Sequence, residues 1–234
     1  MALSKKRKET TKLTQPGKAY GALEGLELVK KSAKAKFDET VELAVHLGVD
    51  PKQSDQQVRG TVLLPKGSGV KRRILVFAKG EKEAEAKAAG ADIVGGDELV
   101  EKVSKGWLDF DVAVATPDMM RQVGTLGKVL GPRGLMPNPK TGTVSMDVAR
   151  AVSEIKAGKI EYKVNAEGVL HTRIGKASFP AADLETNLKS VMDAVMKSKP
   201  PTSKGQYLKS VAVSSTQGIG VRLDSNQFAL ASKA

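Results

Sequence analysis

The rhythm of apolar and polar positions changes twice along the chain. Between Leu23 and Lys34, Leu23, Leu26, Val29 and Lys30 fall on neighbouring turns, which predicts a helix. From Thr40 to Leu47 the period shortens to two, with Val41, Leu43 and Val45 on one face, which predicts a strand. Gly60 to Leu64 reads as a second strand, and Pro65-Lys66-Gly67-Ser68-Gly69 then breaks the pattern as a linker.

The next stretch alternates short apolar runs with helical ones. Ile74 to Ala78 is a strand, Glu81 to Ala89 a helix, Ala91 to Val94 a strand, and Asp97 to Lys105 a helix with an acidic start and a lysine end, as the helix dipole favours. Asp111 to Ala115 is a third strand, after which Pro117 opens a helix with Thr116 placed to cap it. Such alternation predicts a parallel sheet covered on both faces. Beyond Gly158 the earlier rhythm returns. Ile160 to Val164 and Val169 to Ile174 flank Asn165-Ala166-Glu167-Gly168, a hairpin signal. A helix over Ala181 to Met196 follows, then strands at Ser210 to Ser214 and Val221 to Leu223.

Neither outer stretch has enough strands to close a sheet alone. The expected architecture is therefore an α+β domain split between residues 1–69 and 159–234, with an α/β domain, residues 70–158, inserted through two linkers. Gly67, Gly69 and Gly158 would serve as the hinge.

Charge narrows the function. The 234 residues carry 38 Lys plus Arg against 26 Asp plus Glu, a net charge of +12 concentrated in the outer stretches. That excess favours phosphate backbones, whose neutralisation releases counterions, or an anionic membrane. No run approaches the roughly 20 apolar residues of a spanning helix, and no apolar segment follows Lys5 to Lys8 as a secretory signal requires, so no membrane partner is expected. Cysteine is absent, which excludes disulfides and thiol chemistry and fits a cytoplasmic location. His46 and His171 are far apart and read as strand residues rather than ligands.

No catalytic pattern appears. Gly127-Lys128 is followed by Val129, and Gly175-Lys176 by Ala177, so neither is a phosphate loop, and the Ala78-Lys79-Gly80-Glu81 turn has one glycine where a dinucleotide fold needs three. An enzyme is not expected, nor any cofactor or metal. Aromatic residues make up only 4%, which disfavours a single-strand binder built on stacking and points to folded RNA read by shape and 2′-hydroxyls. The segment Val123 to Gly142 stands apart, with five Gly, three Pro, three basic residues (Lys128, Arg133, Lys140) and no acid. It suits either phosphate contact through backbone amides or a stiff loop that closes its domain.

That segment also carries a resemblance. Gly127-Lys128-Val129-Leu130-Gly131-Pro132-Arg133-Gly134-Leu135-Met136-Pro137-Asn138-Pro139-Lys140 resembles the signature of the bacterial ribosomal protein L1 family, which forms the mobile side stalk of the large ribosomal subunit. Lys36 to Leu43, Ser54 to Val62, Gly175 to Phe179 and Thr216 to Gly218 match in order, although Gln217 stands where the family often has methionine. The resemblance implies a split domain bearing an inserted Rossmann-like one. It implies a grip on large-subunit ribosomal RNA, assistance to release of deacylated tRNA from the exit site, and repression of the protein's own operon through its messenger RNA. Carried over position by position, the RNA contacts are Lys36 and Lys176 to phosphate, Phe37 as an apolar surface, and Thr40 and Glu42 from one strand face. Ser178, Thr216, Gln217 and Gly218 complete the set, and the charge of Lys128, Arg133 and Lys140 in the Gly/Pro-rich segment separately suggests a second-domain RNA contact. Phe37 also reads as a core residue, and Glu42 as a salt-bridge partner rather than an acceptor from a 2′-OH.

Overall fold

The computed structural model describes residues 9–15 and 17–231; Lys5 to Lys8 lie outside them. The fold is mixed α/β, and its contacts divide it into two compact units, residues 1–69 with 158–234, and residues 70–157.

In the first unit β1 (Thr40–Leu47) is the hub. Its length and clean alternation let it pair on both edges, with β7 (Val169–Lys176) and β8 (Leu208–Ser215), both antiparallel, and β9 (Val221–Leu223) extends the order to β7-β1-β8-β9. Val41, Leu43, Val45 and Leu47 are fully buried on one face. Against them pack α1 (Ala22–Ser32), through Leu26 and Val29, and α5 (Ala181–Lys197), through Leu184, Leu188, Val191 and Val195. A second, two-stranded sheet pairs β2 (Arg59–Leu63) with β6 (Lys159–Lys163) and adds Ile160 and Tyr162 to the same core. A short helix, α6 (Asn226–Ala231), follows β9.

The second unit is built on a parallel three-stranded sheet, β4-β3-β5, from β3 (Ile74–Phe77), β4 (Ile93–Gly95) and β5 (Val112–Ala115). All four residues of β3 are buried, because successive side chains serve opposite faces. Ile74 and Val76 meet Ala86 of α2 (Glu81–Ala88) and Val148, Ala151, Val152 and Ile155 of α4 (Val148–Lys156). Leu75 and Phe77 meet Leu99 and Val103 of α3 (Asp97–Ser104) together with Met119, Val123, Leu126 and Leu130.

Four local expectations need correction. The strands flanking Asn165 to Gly168 do not form a hairpin ladder. The turn exists, with Asn165 Oδ1 accepting from the Glu167 and Val169 amides, but β6 and β7 part into different sheets after one bridge, Val164 to Leu170. Thr116 donates no side-chain cap. It is buried at the end of β5, and the helix that Pro117 opens starts as a 3₁₀ turn, Pro117–Met119, and continues as α-helix over Met120–Val123. The Gly/Pro-rich segment is not a loop throughout: helical turns occupy Gly124–Leu126 and Gly127–Leu130, because Leu126 and Leu130 reach the core. Helix α4 adds an element beyond the expected ones, and Asp147, which accepts from the Arg150 amide, caps it.

Candidate nucleic-acid interface

Antiparallel pairing explains why residues far apart in sequence meet. The start of β1 lies beside the ends of both its neighbours, with Thr40 opposite Lys176 and Val41 opposite Ser215. Segments 36–42, 176–178 and 216–218 therefore share one end of the sheet. Side chains tie them together. Thr216 Oγ1 accepts from the Thr40 amide at 3.0 Å and faces the Thr40 carbonyl at 3.4 Å. Lys176 Nζ donates to Thr40 Oγ1 at 2.9 Å and to the Asp38 carbonyl at 3.3 Å. The Asp38 carboxylate accepts from the Ser178 amide at 3.1 Å and from its hydroxyl at 2.8 Å.

A bulge aims the lysine. The β1–β7 register passes from Val41 opposite Gly175 to Glu42 opposite Arg173, skipping Ile174. The Ile174 carbonyl is taken instead by Nδ2 of Asn187, a fully buried side chain on α5. Gly218 closes the face from the other side. A Cβ there would sit 2.2 Å from Ser215 Oγ and 2.6 Å from Ser32 Oγ, so both hydroxyls would have to turn away to admit a side chain.

Exposure decides the alternatives left open by the sequence. Phe37 is 52% exposed, so it is a surface aromatic and not a core residue. Glu42 is exposed, makes no ion pair among the described residues, and stands between Arg173 and Ser214 of the neighbouring strands. Lys36 and Gln217 are also exposed, whereas the hydroxyls of Thr216 and Ser178 are spent largely within the protein. The face thus presents two lysines and an arginine, one unpaired carboxylate, an amide and one apolar ring. A carboxylate beside cations disfavours a pure phosphate grip and suits 2′-hydroxyls or base amines as well as phosphates.

Three further residues belong to this group without any local signal in the sequence. Asp38 positions Ser178, Arg173 faces Glu42, and Glu39, 1% exposed, accepts from the Ala35 and Gln217 amides, each at 2.9 Å. An acid ahead of a strand carries no sequence signal of burial, and the bulge that sets Arg173 opposite Glu42 is a tertiary feature.

Lys128, Arg133 and Lys140 belong to the other unit, residues 70–157, and all three are exposed. Their segment is folded upon Asn138, whose side chain accepts from the Lys140 amide at 2.8 Å and whose carbonyl takes the hydroxyls of Thr141 and Thr143. Leu135 and Met136 pack on the core, so the segment closes its unit while holding its basic groups outward. Gly67 and Gly158 have positive φ, 71° and 103°, and abut: a Cβ on Gly158 would lie 2.7 Å from Gly67 Cα. Gly69, φ 69°, lies against Lys176 and Phe179. No helix among the described residues is long and apolar enough to cross a membrane.

The model of the ribosomal protein L1p/L10e family matches residues 29–219, a span that contains all three segments of the face. It is a family of structural, RNA-binding proteins of the large ribosomal subunit and not of enzymes, which places the chain on the ribosome in the cytoplasm. This chain belongs to the ribosomal protein L1p/L10e family.

Proposed function

We propose that the chain grips the side-stalk region of large-subunit ribosomal RNA through the face formed by Lys36, Phe37, Thr40, Glu42, Lys176, Ser178, Thr216, Gln217 and Gly218. In this reading the split α+β unit is the RNA-binding domain and residues 70–157 form a Rossmann-like inserted domain. Lys128, Arg133 and Lys140 supply a second RNA contact, and Gly67, Gly69 and Gly158 act as the hinge where the chain crosses between the two. The stalk assists release of deacylated tRNA from the exit site. The same face represses translation of the protein's own operon by binding a messenger segment that imitates the ribosomal site. The observation that carries the reading is the convergence of three matched segments on one exposed sheet end, around the unpaired Glu42 carboxylate opposite Arg173.

The test is equilibrium binding at moderate salt to a side-stalk ribosomal RNA fragment and to an unrelated duplex of equal length. The fragment binds at least about 10³-fold more tightly if recognition is specific. Equal affinities would mean generic basic binding. The operon messenger competes with the ribosomal fragment for one site, and simultaneous binding of both would remove the repressor role.

A further inference from the structure

Glu39 lies beneath the candidate face, not on it. Three chain segments meet at this one residue. Its Oε1 accepts from the Ala35 amide, its Oε2 from the Gln217 amide, and its backbone carbonyl from the Ala177 amide at 2.8 Å. These are the segments that carry Lys36 and Phe37, Lys176 and Ser178, and Thr216 to Gly218.

A carboxylate is an expensive way to fill this space. Buried acids cost free energy unless fully paired, and an apolar residue of similar volume serves packing at least as well. Burial alone would push the Glu39 carboxyl pKa up. The Gln217 and Ala35 amides, with the Ser215 hydroxyl and the Lys34 amide, overcome that and hold it below its ordinary value. No cation pairs with Glu39 among the described residues, so its charge is met chiefly by backbone amides of the loops. What the carboxylate does that a hydrocarbon cannot is fix two loops at once.

We propose that Glu39 is a positioning residue for RNA binding, its carboxylate bridging the Ala35 and Gln217 amides so that the 35–37 and 216–218 segments present their RNA-facing groups in one arrangement. The inference rests on the ribosomal RNA reading above. Loops ordered beforehand do not have to be ordered by the ligand, which raises affinity without a new contact.

Glu39→Gln is the discriminating variant. A glutamine keeps one acceptor oxygen but turns an NH₂ group towards the other amide, so one loop is released. Full-length wild type, Glu39→Gln, Thr216→Val and the double variant are titrated with the side-stalk fragment and with the unrelated duplex. Glu39→Gln weakens the fragment complex by about tenfold or more. Its affinity for the duplex, and the slope of log K against log salt, stay unchanged because no RNA-facing cation is lost. Thr216→Val then costs less in the Glu39→Gln background than alone, since the turn is already displaced. A purely structural role lowers the melting temperature and leaves the folded variant's affinity within about twofold of wild type, which overturns the proposal. Failure of wild type to distinguish the two RNAs overturns the ribosomal RNA reading and this proposal with it. Should Glu39→Gln not fold, Glu39→Asp, whose shorter side chain cannot span both amides, is titrated in its place: about tenfold weaker fragment binding with unchanged duplex affinity supports the positioning role, and fragment affinity within about twofold of wild type refutes it.

Discussion

Replacing Asn187 by leucine removes a side chain that binds two distant backbone segments to α5. Asn187 is fully buried, and each of its polar atoms is used. Oδ1 accepts from the Lys66 amide at 3.1 Å, and Nδ2 donates to the Gly67 carbonyl at 3.0 Å and the Ile174 carbonyl at 2.8 Å. Leucine is close in volume, so the cost is almost wholly the three orphaned backbone groups. The Ile174 carbonyl sits at the bulge, away from water, and an unpaired group there costs about 1–3 kcal/mol. The Lys66 and Gly67 groups are only partly buried and recover some hydration, so each falls at the low end of that range. The sum is about 3–5 kcal/mol, a large part of the roughly 5–15 kcal/mol that holds a domain folded. Urea denaturation followed by tyrosine fluorescence reads it, because all three tyrosines, Tyr20, Tyr162 and Tyr207, lie in the split unit. The midpoint falls with little change in the m-value. A loss below about 1 kcal/mol would show that the asparagine does not hold these segments and that the account of the bulge is wrong.

Three further outcomes follow from named contacts. Thr216→Val loses the acceptor for the Thr40 amide and lowers stability by about 1 kcal/mol, while weakening the stalk complex by roughly 1–3 kcal/mol; unchanged RNA affinity in a folded variant removes Thr216 from the interface. Burial raises the Tyr207 pKa to about 12, with Tyr162 adding to it and the Ser198 hydroxyl opposing it. A raised pKa means stability that is intact below the phenol's ordinary value near 10 and is lost as the pH climbs through about 12, by about 2–3 kcal/mol; absorbance titration shows a late tyrosinate step that Tyr207→Phe abolishes. Gly158→Ala combines strain at φ 103° with a Cβ 2.7 Å from Gly67 Cα, and thermal melts show it less stable by about 2–4 kcal/mol, whereas a wild-type melt would show the two glycines free to move apart.

Regular elements were readable wherever one periodicity ruled. β1 begins and ends at the residues its alternation marks, and β9, α1 and α5 lie within two residues of their expected bounds. The sequence misled where tertiary pairing overrode local signals. Asn165 to Gly168 is a hairpin turn by composition, but β6 gains more by pairing with β2, so its ladder with β7 stops after one bridge. α4 follows directly on the Gly/Pro-rich segment, and its only local marks are the Asp147 cap and the spacing of Val148, Val152 and Ile155. The candidate face shows the same division. Its exposed members were named through motif resemblance, and Phe37 and Glu42 then needed exposure and pairing to choose between their two readings. Glu39 was invisible, because nothing local says that one acid of Asp38-Glu39 turns inward and the other outward.

Crosslinking the full-length protein to a side-stalk ribosomal RNA fragment, with mass-spectrometric assignment of the crosslinked peptides, tests the central claim most directly. The account predicts crosslinks within residues 36–42, 176–178 and 216–218, with Phe37 prominent as the exposed ring. Crosslinks confined to the basic segment bearing Lys128, Arg133 and Lys140, with none at the end of the β7-β1-β8 sheet, would contradict it.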